Sequence, residues 1–134
     1  MAKRKPKSIA KLVDEVAILV QKYTRMKAAD SNGYCKCSTC DAVKHWTEMQ
    51  GGHFVGRKWL ATKLLEENIH PQCPACNGPR QGNMIQYTLF MLDMYGKEFI
   101  EELEILKHQS RKYYRDEVAE LKEEYTNKIK ELEA

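Results

Sequence analysis

The sequence contains no long apolar run. No stretch of its 134 residues approaches the roughly 18 uninterrupted apolar residues that a membrane span requires. Residues 1–7 are basic, and no apolar segment behind them is long enough for a secretory signal peptide. Internal repeats and low-complexity tracts are also missing. We therefore expect neither secretion nor membrane insertion, and no membrane partner.

Apolar residues make up 43% of the chain, a slightly low fraction, whereas charged residues make up 31%. A chain of this length forms one domain, or one small domain with helical extensions, around a modest core. The net charge of +3 is unevenly distributed. Residues 1–65 hold 13 Lys or Arg against 5 Asp or Glu, and residues 66–134 hold 9 against 14. The basic first half suits a polyanionic partner, although a solvated charged face would give the same pattern.

Cysteines are few and odd in number, so a disulfide framework is not expected in a chain without an export signal. Their spacing predicts a metal site instead. Cys37 and Cys40 form one C-x-x-C pair and Cys73 and Cys76 form another, so that four thiolates are available for one tetrahedral zinc ion. The alternatives are buried free thiols or redox pairs. Cys35 leaves the register of the first pair open, because it lies only two residues before Cys37.

The expected organisation is a flexible basic arm over residues 1–7, an N-terminal helix within 8–33, a zinc-bound core over 34–83 and a helical region over 84–134. Ser8 is a candidate N-cap for a helix that runs to about Ala29. Asn83 followed by Gln86 predicts a capping box. Further helices are expected at about Met84 to Tyr95, Lys97 to His108 and from about Lys112 onward.

A motif lies between and around the cysteine pairs. Gly51-Gly52-His53-Phe54 separates the pairs, and Asn68 to Asn77 reads Asn-Ile-His-Pro-Gln-Cys-Pro-Ala-Cys-Asn. Gly82-Asn83 then precedes a Tyr-bearing helix. This order of elements, from about Cys37 to Leu103, resembles the HNH or His-Me finger nucleases. Within them it is similar to the phage NinG (Rap) recombination endonucleases.

The resemblance implies an α+β, mostly helical fold in which a small zinc-stapled ββα-metal core is flanked by N- and C-terminal helices. A strand would end near His53 and a second strand would cover Asn68 to Gln72. The resemblance also implies a structure-specific endonuclease that cleaves branched DNA, such as four-way junctions and D-loops. The protein would be phage- or prophage-encoded and act in the cytoplasm of the bacterial host.

His53 is the candidate general base. Hydrolysis of a phosphodiester needs a base for water, and imidazole titrates near neutral pH. Asn77 directly follows the last zinc cysteine and can offer an amide oxygen to a catalytic Mg²⁺ or Mn²⁺ ion. The alternative for Asn77 is a helix-capping role.

Gly52 departs from the common HNH pattern, which places an Asp metal ligand directly before the catalytic His. The nearest carboxylate on this side is Glu48, a weak candidate because five residues of extended strand separate it from His53. Gln50 can contribute through its amide, and His70 is a second weak candidate ligand. For His70 a satisfied polar contact beside the zinc is an equally good interpretation.

Asn68 matches the central Asn of the HNH pattern, which braces the loop that positions the base, and we interpret it as structural support. Cations near the motif in sequence are the candidate contacts to DNA phosphate: Arg57, Lys58, Lys63 and Arg80.

The last helix predicts a homodimer. Its apolar residues form a narrow seam of Tyr114, Val118, Leu121, Tyr125, Ile129 and Leu132. Together with Leu12, Val16 and Tyr23 of the first helix, this seam is more apolar surface than a thin core can cover. A four-way junction has two equivalent strands to cut, and one copy of the motif supplies one site. The alternative is that the terminal helices fold back on their own core.

Two other functions fit the sequence. One is an HNH nickase of simple duplex DNA. The other is a non-catalytic zinc-ribbon module that binds DNA, which is favoured by Gly52 in place of a carboxylate. His53 argues against a pure ribbon, because a ribbon needs no base.

Overall fold

The computed structural model describes residues 5–134, so residues 1–4 of the expected basic arm lie outside the described residues. The first helix, α1, spans Ile9–Ala28. Ser8 caps it as predicted, because its hydroxyl accepts a hydrogen bond of 3.2 Å from the backbone N–H of Lys11. Helix α1 ends one residue before the predicted Ala29.

The middle of the chain consists of short elements. Two antiparallel hairpins pair β1 with β2 and β3 with β4, and Gly52 lies opposite His70 in the second hairpin. The elements in chain order are β1 (Tyr34–Lys36), β2 (Val43–His45), a 3₁₀ turn (Trp46–Glu48), β3 (Gln50–His53), α2 (Leu60–Lys63), a 3₁₀ turn (Glu66–Asn68), β4 (Ile69–Gln72) and α3 (Pro74–Asn77). The order strand, loop, strand, helix is the one that the motif predicts.

Three longer helices complete the chain: α4 (Met84–Tyr95), α5 (Lys97–Lys107) and α6 (Arg115–Glu133). Gly96 joins α4 to α5 with a φ of 87°, a conformation that favours glycine. Helix α6 begins at Arg115, three residues after the predicted start. No helix in residues 5–134 is long and apolar enough to cross a membrane.

The predicted capping box at Asn83 is wrong. Asn83 adopts a left-handed conformation with a φ of 48°, and its side chain makes no cap hydrogen bond. Its Nδ2 instead donates to the carbonyl of Thr39, at 2.9 Å. The residue therefore ties the start of α4 to the first cysteine loop, a contact 44 positions away in sequence.

Helices α1 and α6 form the largest apolar cluster. Val16 and Val20 of α1 pack in this cluster with Val118 and Tyr125 of α6, and all four are buried. The rings of Tyr23 and Tyr125 meet edge to face, with centroids 5.7 Å apart. The expectation that the α6 seam is uncovered is therefore wrong for its central residues, which pack on their own chain, whereas Tyr114 and Leu132 at its ends are exposed. The homodimer stays a prediction, but this argument for it is lost.

Strand β3 lies between two helices. A β-carbon at Gly51 would meet the Cβ of Gln21 on α1 at 2.5 Å, so α1 covers that side of the strand. The hydroxyl of Tyr87 on α4 donates to the carbonyl of Gly52 at 2.7 Å. The contact with α1 needs a position without a side chain, whereas Tyr87 contacts a backbone carbonyl that any residue would offer. Gly51 thus lets α1 approach the strand that carries His53.

Candidate functional site

The two C-x-x-C pairs converge. One ligand atom from each of Cys37, Cys40, Cys73 and Cys76 lies within 4.8 Å of the others. The sulfurs of Cys40 and Cys73 are 3.6 Å apart. Four thiolates around one zinc ion at about 2.3 Å would be about 3.8 Å apart, so this spacing suits tetrahedral coordination. The four cysteines can hold a metal ion such as zinc, and the register of the first pair is the predicted one.

Hydrogen-bond donors surround these sulfurs. The backbone N–H of Cys73 donates to Cys37 Sγ at 3.2 Å, and that of Ala42 donates to Cys40 Sγ at 3.4 Å. The guanidinium of Arg80 lies 3.3 Å from Cys76 Sγ. Such donors stabilise thiolates and orient metal ligands. The donor set therefore fits a structural zinc ion.

The thiols also influence each other's ionisation. Burial acts to raise the pKa of Cys76, but hydrogen bonds from Thr39 and Arg80 outweigh it and lower this pKa to about 6. The N–H of Ala42 lowers the pKa of Cys40, but burial and the neighbouring thiols raise it overall. Four adjacent thiolates repel one another without a cation, and a divalent ion removes that repulsion.

Cys35 lies outside this group. It is 4% exposed, and burial raises the pKa of its thiol. Arg25 is close enough to partly offset that rise. The guanidinium of Arg25 is itself held by the carbonyls of Trp46 and Met49, at 3.3 and 3.0 Å. Cys35 is therefore a core residue and not one of the four converging thiols.

His53 is fixed through one ring nitrogen. Its Nε2–H donates to the carbonyl of Lys63 at 2.9 Å, since a carbonyl can only accept. Its Nδ1 is buried and has no hydrogen-bond partner among the described residues. Burial lowers the pKa of His53 below its ordinary value. The hydrogen bond to the Lys63 carbonyl partly offsets burial, and the charges of Arg57 and Lys63 add smaller decreases. His53 is thus neutral at pH 7, and the lone pair of its Nδ1 accepts no hydrogen bond from residues 5–134.

Asn68 braces the loop that follows His53. Its Oδ1 accepts from the N–H of Val55 at 2.8 Å, and its Nδ2 donates to the carbonyls of Val55 and Thr62 at 3.0 and 3.2 Å. The side chain is fully buried. These contacts are of the kind that the sequence predicts for Asn68, because they hold the segment that carries the Lys63 carbonyl.

Asn77 contacts Gln50, and not His53. Its Nδ2 donates to Gln50 Oε1 at 2.7 Å across the gap between α3 and β3. Gln50 and Gly52 share one face of β3, and Gly51 and His53 share the other, because side chains alternate along a strand. The structure therefore brings Gln50 and Asn77 together and leaves His53 on the opposite face of the hairpin.

Gln72 occupies the space beside Gly52. A β-carbon at Gly52 would lie 1.8 Å from Gln72 Oε1. Gln72 is fully buried, and its Nε2 donates to Thr39 Oγ1 at 3.1 Å and to the carbonyl of Gly82 at 2.7 Å. The space of an Asp at position 52, which the HNH pattern has, is thus taken by a glutamine from the neighbouring strand.

The structure argues against His70 as a metal ligand and places Glu48 away from the clustered ligands. His70 is held at both nitrogens, by the hydroxyls of Tyr87 at 3.1 Å and Tyr95 at 2.7 Å. Burial, aided by the charge of Lys27, lowers the pKa of His70 to about 4, so it is a neutral, satisfied core residue. Glu48 is exposed at the end of its 3₁₀ turn and belongs to no metal-ligating group of three or more residues in the described part of the chain.

The four predicted phosphate-binding cations differ in exposure and in their contacts. Arg57 and Lys58 are exposed on the loop after β3. Arg80 is exposed and its guanidinium contacts Cys76. The prediction that Lys63 contacts DNA phosphate is wrong. Its amino group pairs with Asp14 and its side chain is 12% exposed, so it is not a free cation.

Sequence reasoning missed Tyr87 and Gln72. Because Tyr87 donates its only proton to the Gly52 carbonyl, it accepts from His70 Nδ1, and His70 Nε2 accepts from Tyr95. This chain of hydrogen bonds ties α4 to the residue before His53. Tyr87 is the tyrosine of the helix that follows Gly82-Asn83. The motif includes this tyrosine, so the sequence could have indicated a role for it.

The comparisons with known proteins agree with this arrangement of motifs. The family model described as "NinG: Bacteriophage Lambda NinG protein" matches residues 1–134. The chain belongs to the NinG family. No solved structure matches it.

Curated NinG relatives come from several phages. The chain is 34% identical over 99 residues to "Protein ninG" of Escherichia phage lambda, a match that covers 72% of this chain and 47% of the relative. It is 33% identical over 99 residues to "Protein ninG" of Salmonella phage P22, with the same coverage. The chain therefore spans about half the length of the curated NinG proteins that it matches.

Proposed function

We propose that this NinG-family chain is a metal-dependent endonuclease that cleaves branched DNA, such as four-way junctions and D-loops. The observation that carries the proposal is His53. Its Nε2–H is fixed by the Lys63 carbonyl, whereas its Nδ1 is buried without a partner in residues 5–134. An unpaired buried ring nitrogen is costly, and catalytic function is one of the few reasons to keep one.

His53 would act as the general base. With Nε2 protonated and pinned, Nδ1 is the acceptor that takes a proton from an attacking water. The lowered pKa of His53 keeps the ring unprotonated at neutral pH. Asn68 holds the loop that contains the Lys63 carbonyl and so maintains the orientation of the ring.

Gln50 and Asn77 are the residues that would hold a divalent Mg²⁺ or Mn²⁺ ion. Their amides are in contact, and amide oxygens are acceptable ligands for such hard cations. A bound ion would supply charge stabilisation for the leaving 3′ oxygen. Both ligands are neutral, so DNA phosphate oxygens and water must complete the site. We therefore expect weak metal binding by the protein without DNA.

The scissile phosphate would lie over the edge of β3. Gln50 and His53 are three residues apart on opposite faces of the strand, a separation of about 10 Å. For both groups to act on one phosphate, that phosphate would have to bridge the edge of the strand. Arg57 and Lys58 on the following loop are exposed and would contact neighbouring phosphates.

A non-catalytic DNA-binding module is the second candidate. In residues 5–134, the four cysteines form the sole cluster of three or more His, Cys, Asp or Glu residues that could hold a metal ion. A single structural metal site of this kind favours a binding module. A zinc-stapled hairpin with exposed cations would bind DNA without cutting it. The two candidates differ in one measurable property, which is strand cleavage.

The test uses labelled linear, flapped, D-loop and four-way DNAs incubated with the zinc-loaded protein and Mg²⁺ or Mn²⁺. We expect selective cleavage of the branched DNAs, loss of cleavage in His53→Ala and retention of binding. His108→Ala is the matched control, because His108 is exposed and lies outside the site. Asn127→Ala on the exposed face of α6 is the control for Asn77→Ala. Binding without cleavage of any substrate would support the binding module instead.

A further inference from the structure

Helix α4 carries an apolar stripe that the chain does not cover. Ile85, Leu89 and Leu92 are 78%, 54% and 40% exposed. At about 100° per residue, these three side chains share one side of the helix, nearly opposite Tyr87 and Met91. Tyr87 and Met91 are fully buried against the rest of the chain. Helix α4 is thus apolar on two sides, of which the chain buries one.

The surroundings of this outer stripe resemble a protein interface more than a DNA-binding surface. Asp93 is the single charged residue among the twelve of α4, so the stripe offers no cation to phosphate. Gln86, Thr88 and Asp93 border the apolar residues with polar groups. An apolar centre with a polar rim is the usual anatomy of a protein–protein interface.

We propose that the outer stripe of α4 is a self-association surface, through which two copies of this chain pair antiparallel about a two-fold axis between positions 89 and 90. The need for two copies rests on the proposed function, because a symmetric junction presents two equivalent strands and each chain has one motif. Copies of the acidic α6 surface would repel each other, whereas the stripe brings almost no charge to the axis.

The rim is self-complementary in this arrangement. Gln86 and Asp93 are seven residues apart, so they lie on the same flank of α4 within about 20° of each other. A two-fold axis midway between them places Gln86 of each copy opposite Asp93 of its partner. A Gln amide can donate to a carboxylate there, and the two Asp93 carboxylates stay apart. Tyr87, which contacts β3, lies on the side of α4 opposite the stripe, so pairing through the stripe leaves this contact in place.

Light scattering of the zinc-loaded full chain at micromolar concentration tests the surface. We expect twice the chain mass of 15.6 kDa for the wild type and a single chain mass for Leu89→Lys. Ile18→Lys is the matched control: Ile18 is a 61% exposed apolar residue on α1, and its replacement should leave the dimer intact. Circular dichroism should show that both variants fold, since both side chains are exposed. A wild-type protein of single chain mass would overturn the proposal.

The register has a separate test. Gln86→Glu places a carboxylate opposite Asp93 of the partner and should raise the dimer dissociation constant about tenfold or more, whereas Gln86→Lys should not. An unchanged constant for Gln86→Glu would overturn the antiparallel register. Neither measurement involves DNA, so the dimer can fail while cleavage is observed, and cleavage can fail while the dimer is observed.

Discussion

At position 52 the backbone of β3 passes within contact distance of a buried side chain. A β-carbon there would meet Gln72 Oε1 at 1.8 Å and Gln72 Cγ at 3.0 Å. Gln72 cannot swing away freely, because its Nε2 is held by Thr39 and Gly82. The glycine before His53 therefore has a packing reason in this chain.

Gly52→Ala should consequently lower the free energy of unfolding by about 1–3 kcal/mol, the usual cost of overpacking. Gly56→Ala is the matched control, because no atom lies within 4 Å of a β-carbon at Gly56 and its φ is not positive. We expect the control to stay within about 0.5 kcal/mol of the wild type. Urea denaturation of the zinc-loaded proteins measures both, and equal stabilities of the two variants would contradict the crowding at Gly52.

The proposed role of His53 predicts a specific pH dependence of cleavage. A general base acts unprotonated, so log kcat/KM should rise with pH through the pKa of His53 and then become level. Because burial and nearby cations lower that pKa, the rise should lie below the ordinary value of 6.5. Arg57→Gln removes one of those cations and should move the rise to higher pH. A profile that is unchanged in His53→Ala would exclude His53 as the base.

At the scale of elements, the four converging cysteines join segments that are too short to be stable by themselves. Helix α3 is four residues long, and the strands that flank the cysteines are three or four residues long. Helices this short are not stable by themselves. The cysteines from the turn after β1 and from α3 supply the connection between the two hairpins.

Cys73→Ser should therefore lose zinc and leave the hairpin region unfolded, because binding energy at a structural zinc site is folding energy. Cys35→Ser should retain zinc, since Cys35 lies outside the converging thiols. Elemental analysis gives the zinc content, and circular dichroism gives the fold. A zinc-free wild-type protein that is folded would refute the structural metal, and zinc loss in Cys35→Ser would refute the assigned register.

At the scale of the whole molecule, the two ends of the chain are packed together through α1 and α6. Tyr125 is 6% exposed, and its hydroxyl donates to Glu66 Oε1 at 3.1 Å. Val118 and Tyr125 of the α6 seam are thus part of the main core. Substitutions of these two residues should affect folding and not association.

Tyr125→Glu removes a packed aromatic ring from the core and adds a carboxylate beside Glu66, and it should destabilise the fold by about 3–5 kcal/mol, the usual cost of losing a buried aromatic side chain. Leu132→Glu is the control, because Leu132 is on the same helix but 43% exposed. Thermal denaturation together with light scattering separates the two outcomes. A stable, folded Tyr125→Glu monomer derived from a wild-type dimer would instead support the seam as the interface between subunits.

The sequence by itself determined the features that depend on near neighbours. The spacing within each C-x-x-C pair, the Ser8 cap and Gly96 between two helices are local patterns, and each is found where the sequence predicts it. The strand before His53 is found where the family resemblance implies it. The motif also ordered the elements of the core correctly. Backbone geometry and hydrogen bonding over a few residues are enough to specify such features.

Only the tertiary structure decided which distant groups meet. It pairs Asn77 with Gln50, saturates His70 with Tyr87 and Tyr95, and packs the α6 seam on α1. It also separates His53 from Asn77 and exposes the outer stripe of α4. The apolar pattern of a helix indicates that one side packs against a partner, but it does not indicate which partner. That choice depends on how the whole chain packs, because the burial of apolar surface is non-directional.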